Sequence, residues 1–287
     1  MSIGEWPGGR DESSSLVSNK TTNDSSWVDD WTVRVKYTGA AANGLTGLNY
    51  IPRKVYMGGE EGAAYLSLNT RRLDNNTQLG GEIFYNKADV DAVSFRVSAR
   101  VSGSSGAVAG FFTYHNDTQE SDIEILTKDG DRTVHFSNQP TAYDNDTIIS
   151  GATFSNSLPG SVSTSNWAVY RLDWLPHLDM SVWYVNGQQL RKTQINVPQM
   201  SSTVFIDMWS NSGSWSGNMA EGGQATLEIQ WIEMAFNASA TAKGVPNDGV
   251  VCTIDEEIGA PVEASGSRVS LTMGVLVMLG AAAWTVL

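Results

Sequence analysis

Cysteine is almost missing from this sequence: Cys252 stands alone among 287 residues. One thiol excludes a disulfide scaffold, a Cys-rich zinc site and a CxxC redox pair. Histidine is nearly as scarce, with His115, His135 and His177 only. They form no HExxH and no paired spacing, so a catalytic zinc has no ligand set. Charged residues make up 17% of the chain, below the ~25% of an average soluble domain. No basic cluster exists and the formal net charge is -13. A nucleic-acid partner is therefore not expected, because phosphate binding concentrates Lys and Arg. An acidic surface is compatible with a neutral polysaccharide. Neither a GxSxG motif nor a phosphate-binding Gly-Lys loop is present. Long helical periodicity is missing from the body of the chain.

What fills the body is strand after strand. Residues 64–70, 92–101, 109–114, 133–136, 168–174, 181–185, 204–209 and 226–236 read as strands. Asn186-Gly187 follows one of them and is a strong hairpin signal. Repeated strands with Gly and Asn turns predict an all-β fold, an antiparallel sandwich or barrel. The length suits one large β domain, placed at residues 27–238. A polar segment, 1–26, precedes it. The small, acidic stretch 239–268, with Pro246 and Pro261, reads as a stalk.

Residues 269–287 carry no charge and are mostly apolar. Ala264-Ser265-Gly266-Ser267 lies just before them. Small residues followed by an apolar run have the layout of a GPI-attachment signal, with a retained membrane anchor as the alternative. The first 26 residues contain no apolar core of a signal peptide, so a leader upstream of this start is expected. Six Asn-x-Ser/Thr sequons, at Asn19, Asn23, Asn75, Asn116, Asn145 and Asn237, fit an extracellular, surface-anchored location.

The chemistry concentrates in Gln119-Glu-Ser-Asp-Ile-Glu-Ile-Leu-Thr. Alternate residues of a strand share a face. Glu120, Asp122 and Glu124 therefore line one side, while Ser121, Ile123 and Ile125 pack into the core. Three acids on one face raise one another's pKa, and chemistry is the usual reason for such an arrangement. Glycosidases use two carboxyls, about 5–5.5 Å apart for retention and about 6.5–9.5 Å for inversion. The Cα atoms of Glu120 and Glu124 lie ~13 Å apart on a flat strand. Side-chain reach and strand twist shorten that gap. Spacing leans towards retention without deciding it.

The run Gln119-Glu-Ser-Asp-Ile-Glu-Ile-Leu resembles the signature strand of glycoside hydrolase family 16, Glu-hydrophobic-Asp-x-Glu. Gly110-Phe-Phe-Thr-Tyr, Val134-His-Phe-Ser-Asn-Gln, Tyr170-Arg-Leu-Asp-Trp-Leu-Pro and Val182-Trp-Tyr-Val-Asn-Gly match in order and spacing. Asp207-Met-Trp-Ser-Asn and Trp215-Ser-Gly are similar to an aromatic cleft segment of fungal members. The resemblance covers roughly residues 60–237. It implies a concanavalin A-like jelly roll of two bent antiparallel sheets and a retaining mechanism on β-glucans. It also implies that Glu120 is the nucleophile, Asp122 its helper and Glu124 the acid/base. Ser121 departs from the pattern, where the family usually carries an aliphatic residue.

Pyranose rings present C–H faces that stack on indole and phenol, so Tyr114, Trp209 and Trp215 are the candidate sugar platforms. His135 is a candidate hydrogen-bond partner of substrate or carboxylate. Asn138 and Gln139 are candidates for reading sugar hydroxyls. No cofactor and no metal site is expected, although a structural Ca²⁺ would leave no readable motif. The chain is expected to act as a monomer on wall β-1,3 or mixed β-1,3/1,4 glucans. A wall transglycosylase using the same site and a non-catalytic lectin on the same fold are the alternatives.

Overall fold

The computed structural model describes residues 30–38, 45–59, 64–73, 76–86 and 88–238. The N-terminal polar segment, the stalk beyond residue 238, Cys252, the apolar run, and the sequons at Asn19, Asn23 and Asn75 lie outside them. Among the described residues, no helix is long and apolar enough to cross a membrane.

Strands account for nearly all of the regular structure. In chain order they begin with β1 (Trp31–Val33), β2 (Lys36–Tyr37), β3 (Gly47–Tyr50), β4 (Val55–Gly58), β5 (Tyr65–Arg72) and β6 (Thr77–Tyr85). The middle of the chain forms β7 (Val90–Gly103), β8 (Val108–Asn116), β9 (Gln119–Leu126), β10 (Thr133–Asn138) and β11 (Thr153–Ser157). The last are β12 (Ala168–Leu175), β13 (Met180–Val185), β14 (Gln188–Thr193), β15 (Thr203–Trp209) and β16 (Gln224–Ala238).

One layer runs β11-β10-β9-β8-β15-β6, and the other runs β5-β16-β7-β12-β13-β14. The pairs are antiparallel apart from β3 with β6. Strand β6 joins the layers: Gln78 and Leu79 pair with β5, while Gly81 to Phe84 pair with β15. Gly80 and Gly81 sit at this corner. A Cβ on Gly81 would stand 2.6 Å from the carbonyl oxygen of Lys54, so the chain crosses between layers only where side chains are missing.

The Asn186-Gly187 signal forms the expected two-residue hairpin between β13 and β14. Both residues have positive φ, 47° and 76°, as a type I′ turn demands. The layers close on each other through aromatic rings. Phe111 of β8 stacks on Tyr170 of β12, and Phe136 of β10 stacks on Trp183 of β13, with centroids 5.8 and 5.5 Å apart. Trp174, Trp183, Ile123 and Ile125 are buried in this core. On the outside of the second layer, Arg96 and Arg100 of β7 pair with Glu233 and Glu228, their direct neighbours on β16.

Candidate active site

Strand β9 holds its alternation in three dimensions. Ser121, Ile123 and Ile125 face the core and are buried. Glu120, Asp122 and Glu124 share the other face with their cross-strand neighbours Tyr114, Phe112 and Gly110 on β8. On the far side, Glu124 lies opposite His135 and Asp122 opposite Ser137 on β10. The acids thus stand mid-sheet, walled by strands on both sides.

Asp122 is the best supported of the three. Its Oδ2 accepts from Ser137 Oγ at 2.8 Å and from Gln139 Nε2 at 3.4 Å. Glu120 and Asp122 also hydrogen-bond to each other, which requires a proton between them. Burial pushes the Asp122 carboxyl up to about 6, with the bonds from Ser137, Glu120 and Gln139 opposing it. Burial, then the charge of Asp122 beside it, push Glu120 up to about 10. Burial and the charge of Asp122 push Glu124 up to about 8, against a hydrogen bond from Trp215. Above about pH 6 the Glu120–Asp122 pair holds one proton, and Glu124 keeps its own up to about pH 8.

Trp215 donates from Nε1 to Glu124 Oε2 at 3.0 Å and is 40% exposed. It can therefore both orient the carboxyl and offer an open ring face. The ring is braced from two sides. His135 meets it edge-on with centroids 5.0 Å apart, and Lys128 lies 5.9 Å from its centroid. Lys128 also donates to the carbonyl of Ser214 at 2.7 Å. The His135 Nε2 atom is 2.7 Å from Asp129 Oδ2, so its carboxylate partner is Asp129 and not one of the three acids of β9.

The remaining candidates divide. Tyr114 lies beside Glu120 and donates its hydroxyl to Asp117 Oδ1 at 2.7 Å. Trp209 is half-buried on β15, two residues from Asp207 and so on the same face. Gln139 reaches Asp122. Asn138 departs from the expectation: it pairs with core-facing Ser121, is fully buried, and donates from Nδ2 to the carbonyl of Ile195 at 2.9 Å. Neighbouring residues of a strand face opposite ways, so Asn138 and Gln139 cannot both look at the acids.

Sequence reasoning did not single out Ser137, Asp207, Glu82 or the apolar floor of Phe84, Phe112 and Phe205. Phe205 stacks on Phe112 and contacts Phe84, with centroids 5.3 and 5.7 Å apart. The alternation that places Trp209 in the cleft also places Asp207 there, and that signal was readable. Glu82 lies on β6, a segment that is not among those read as strands. Among the described residues, no group of three or more His, Cys, Asp or Glu is arranged to hold a metal ion.

A family model described as Glycosyl hydrolases family 16 matches residues 51–233. A β-glucanase from Bacillus licheniformis is 25% identical over 145 residues, 48% of this chain and 56% of the relative. A β-glucanase from Brevibacillus brevis is 28% identical over 134 residues, 43% of this chain and 47% of the relative. The chain thus spans about half the length of the curated relatives it matches. The solved β-glucanase of B. licheniformis superposes with a TM-score of 0.56 at 20% identity, covering 71% of this chain and 90% of that one. The endo-1,3-β-glucanase (laminarinase) catalytic domain of Thermotoga petrophila does so with 0.56 at 16%, covering 74% and 92%. The fold is accordingly the jelly-roll sandwich that the resemblance implies.

Proposed function

The chain belongs to the glycosyl hydrolases family 16, and from that membership we propose that it is an endo-β-glucanase acting on β-1,3 or mixed β-1,3/1,4 glucans with retention of configuration. The observation that carries the reading is the carboxylate row of buried Asp122 between half-buried Glu120 and Glu124, with Glu124 held by the indole of Trp215. The β-glucanase relatives and the partly exposed aromatic floor support a glucan as substrate.

In this reading Glu120 attacks the anomeric carbon while Glu124 gives its proton to the departing glycosidic oxygen. Glu120 attacks as an anion, so the proton it shares passes to Asp122, which Ser137 and Gln139 steady. Water then enters at the same carbon as Glu124 takes a proton from it, and the Glu120 ester bond breaks. The sequons at the exposed Asn116 and Asn145, together with the apolar run at 269–287, support a cell-surface location.

Digestion of laminarin, lichenan and chitin oligosaccharides by the full chain tests the reading. Short oligosaccharides from laminarin or lichenan, first seen by NMR as the β-anomer, are the expected products. Glu120→Gln lowers turnover by about 10²–10⁴-fold. Binding without cleavage would identify a lectin, products longer than the substrate a transglycosylase, and first appearance of the α-anomer an inverting enzyme.

A further inference from the structure

The cleft floor holds a second buried acid pair that this mechanism does not use. Asp207 of β15 and Glu82 of β6 are direct cross-strand neighbours, each 4% exposed. Two carboxyls buried side by side do not both ionise without a cation for each. Glu82 is ion-paired with Arg34, Nη1 to Oε1 at 2.8 Å, which favours its anion. Asp207 has no ion pair among the described residues, and Tyr50 Oη of β3 lies 2.9 Å from its Oδ2. The proton of the pair therefore belongs to Asp207.

The other oxygen of Asp207, Oδ1, is buried without a side-chain partner. It sits 2.6 Å from where a Cβ of Gly110 would stand. Gly110 pairs with Asp207 on one side and Glu124 on the other. A side chain there would separate the two carboxyls. The bare glycine leaves them facing across one strand.

We propose that Asp207 is a positioning residue for Glu124 and works as a neutral carboxylic acid, its proton held by the adjacent charge of the Arg34-paired Glu82. This rests on the glucanase reading of Glu124. The charged and titratable groups around Asp207 are Tyr50, Glu82 with Arg34 and Lys36 beyond it, and Glu124 and Glu120 across β8. Burial and the charge of Glu82 push the Asp207 carboxyl well up. An anion at Asp207 would tighten Glu124's hold on a proton it must release and recover each turnover. A neutral Asp207 removes that field and keeps a polar group beside Glu124.

Two variants and a direct titration test this. Asp207→Asn copies the neutral acid, so the alkaline limb of kcat/KM stays within about 0.3 pH unit of the native one and activity falls by at most about tenfold. A limb moved down by about one unit would show that native Asp207 is an anion and overturn the proposal. Asp207→Leu keeps neutrality but not polarity. It is expected to lower kcat by about 100-fold with KM changed less than about threefold. A fully active Asp207→Leu would overturn the positioning role. Carboxyl ¹³C NMR, with the Asp207 signal assigned by its loss in Asp207→Asn, reads the proton directly without any glucan. A signal at the neutral-acid position throughout the neutral pH range supports the proposal, and a carboxylate signal overturns it. Failure of the glucanase reading would appear separately, as native protein that cleaves no glucan.

Discussion

At the scale of single residues, the site works by dividing protons among carboxyls that burial has made reluctant to ionise. Below about pH 6 the Glu120–Asp122 pair holds two protons and, in the proposed mechanism, offers no nucleophile. Above about pH 8 Glu124 has lost the proton that the proposed mechanism has it donate. The expected kcat/KM profile is a bell with limbs near these values, measured across pH on laminarin or lichenan. Trp215→Phe separates the two duties of the indole. It keeps an aromatic face but removes the N–H that favours the Glu124 anion at 3.0 Å. Glu124 then holds its proton more tightly, and the alkaline limb moves to higher pH, which the same profile checks. The acids and their partners were unequally legible. Alternation within one strand exposed the three acids, because it is a local property. Ser137, Asp207 and Glu82 join them from three other strands, and only pairing brings those strands alongside.

At the scale of elements, β9 has one polar residue on its core face. Ser121 is fully buried and its Oγ has no hydrogen-bond partner. A buried orphan hydroxyl is unfavourable, so Ser121→Ala is expected to raise stability by about 1 kcal/mol in denaturant unfolding. The change leaves the acid face untouched. Strand β6 shows the opposite problem for sequence reading. It is not among the segments read as strands, and its Gly80-Gly81 is the corner at which one strand serves both layers. Strong β-formers flank the pair, but only the close approach of the Lys54 carbonyl explains why glycine is required there. The β13–β14 hairpin was readable for the converse reason. A type I′ turn is set by two adjacent residues and needs nothing from afar.

At the scale of the whole molecule, the cleft depends on the two layers being locked together behind it. Trp183 is fully buried and stacks on Phe136, next door to the acid strand. Trp183→Ala is expected to cost about 3–5 kcal/mol of unfolding free energy. Trp183→Phe, which keeps a ring and drops an unpartnered N–H, is expected to cost less. The acids also burden the fold in a pH-dependent way. Glu124 has an ordinary value of 4.5 in the unfolded chain and about 8 in the fold. The folded state therefore binds more protons between those values, and stability from this group falls as pH rises through them. Glu124→Gln should raise Tm more at about pH 8 than at about pH 5, as scanning calorimetry would show.

The sequence by itself determined the acid strand together with β8, β10 and β15, the turn at Asn186-Gly187 and the face on which Glu120, Asp122 and Glu124 stand. Each follows from periodicity or from the backbone preferences of neighbouring residues. Strand pairing across the sheet decided the rest. It set Trp215 on Glu124 from 91 positions away, turned Asn138 to the core, and brought Glu82 and Asp207 side by side next to Tyr50. Those contacts depend on which strands lie side by side and in what register, and no local pattern in the chain records that.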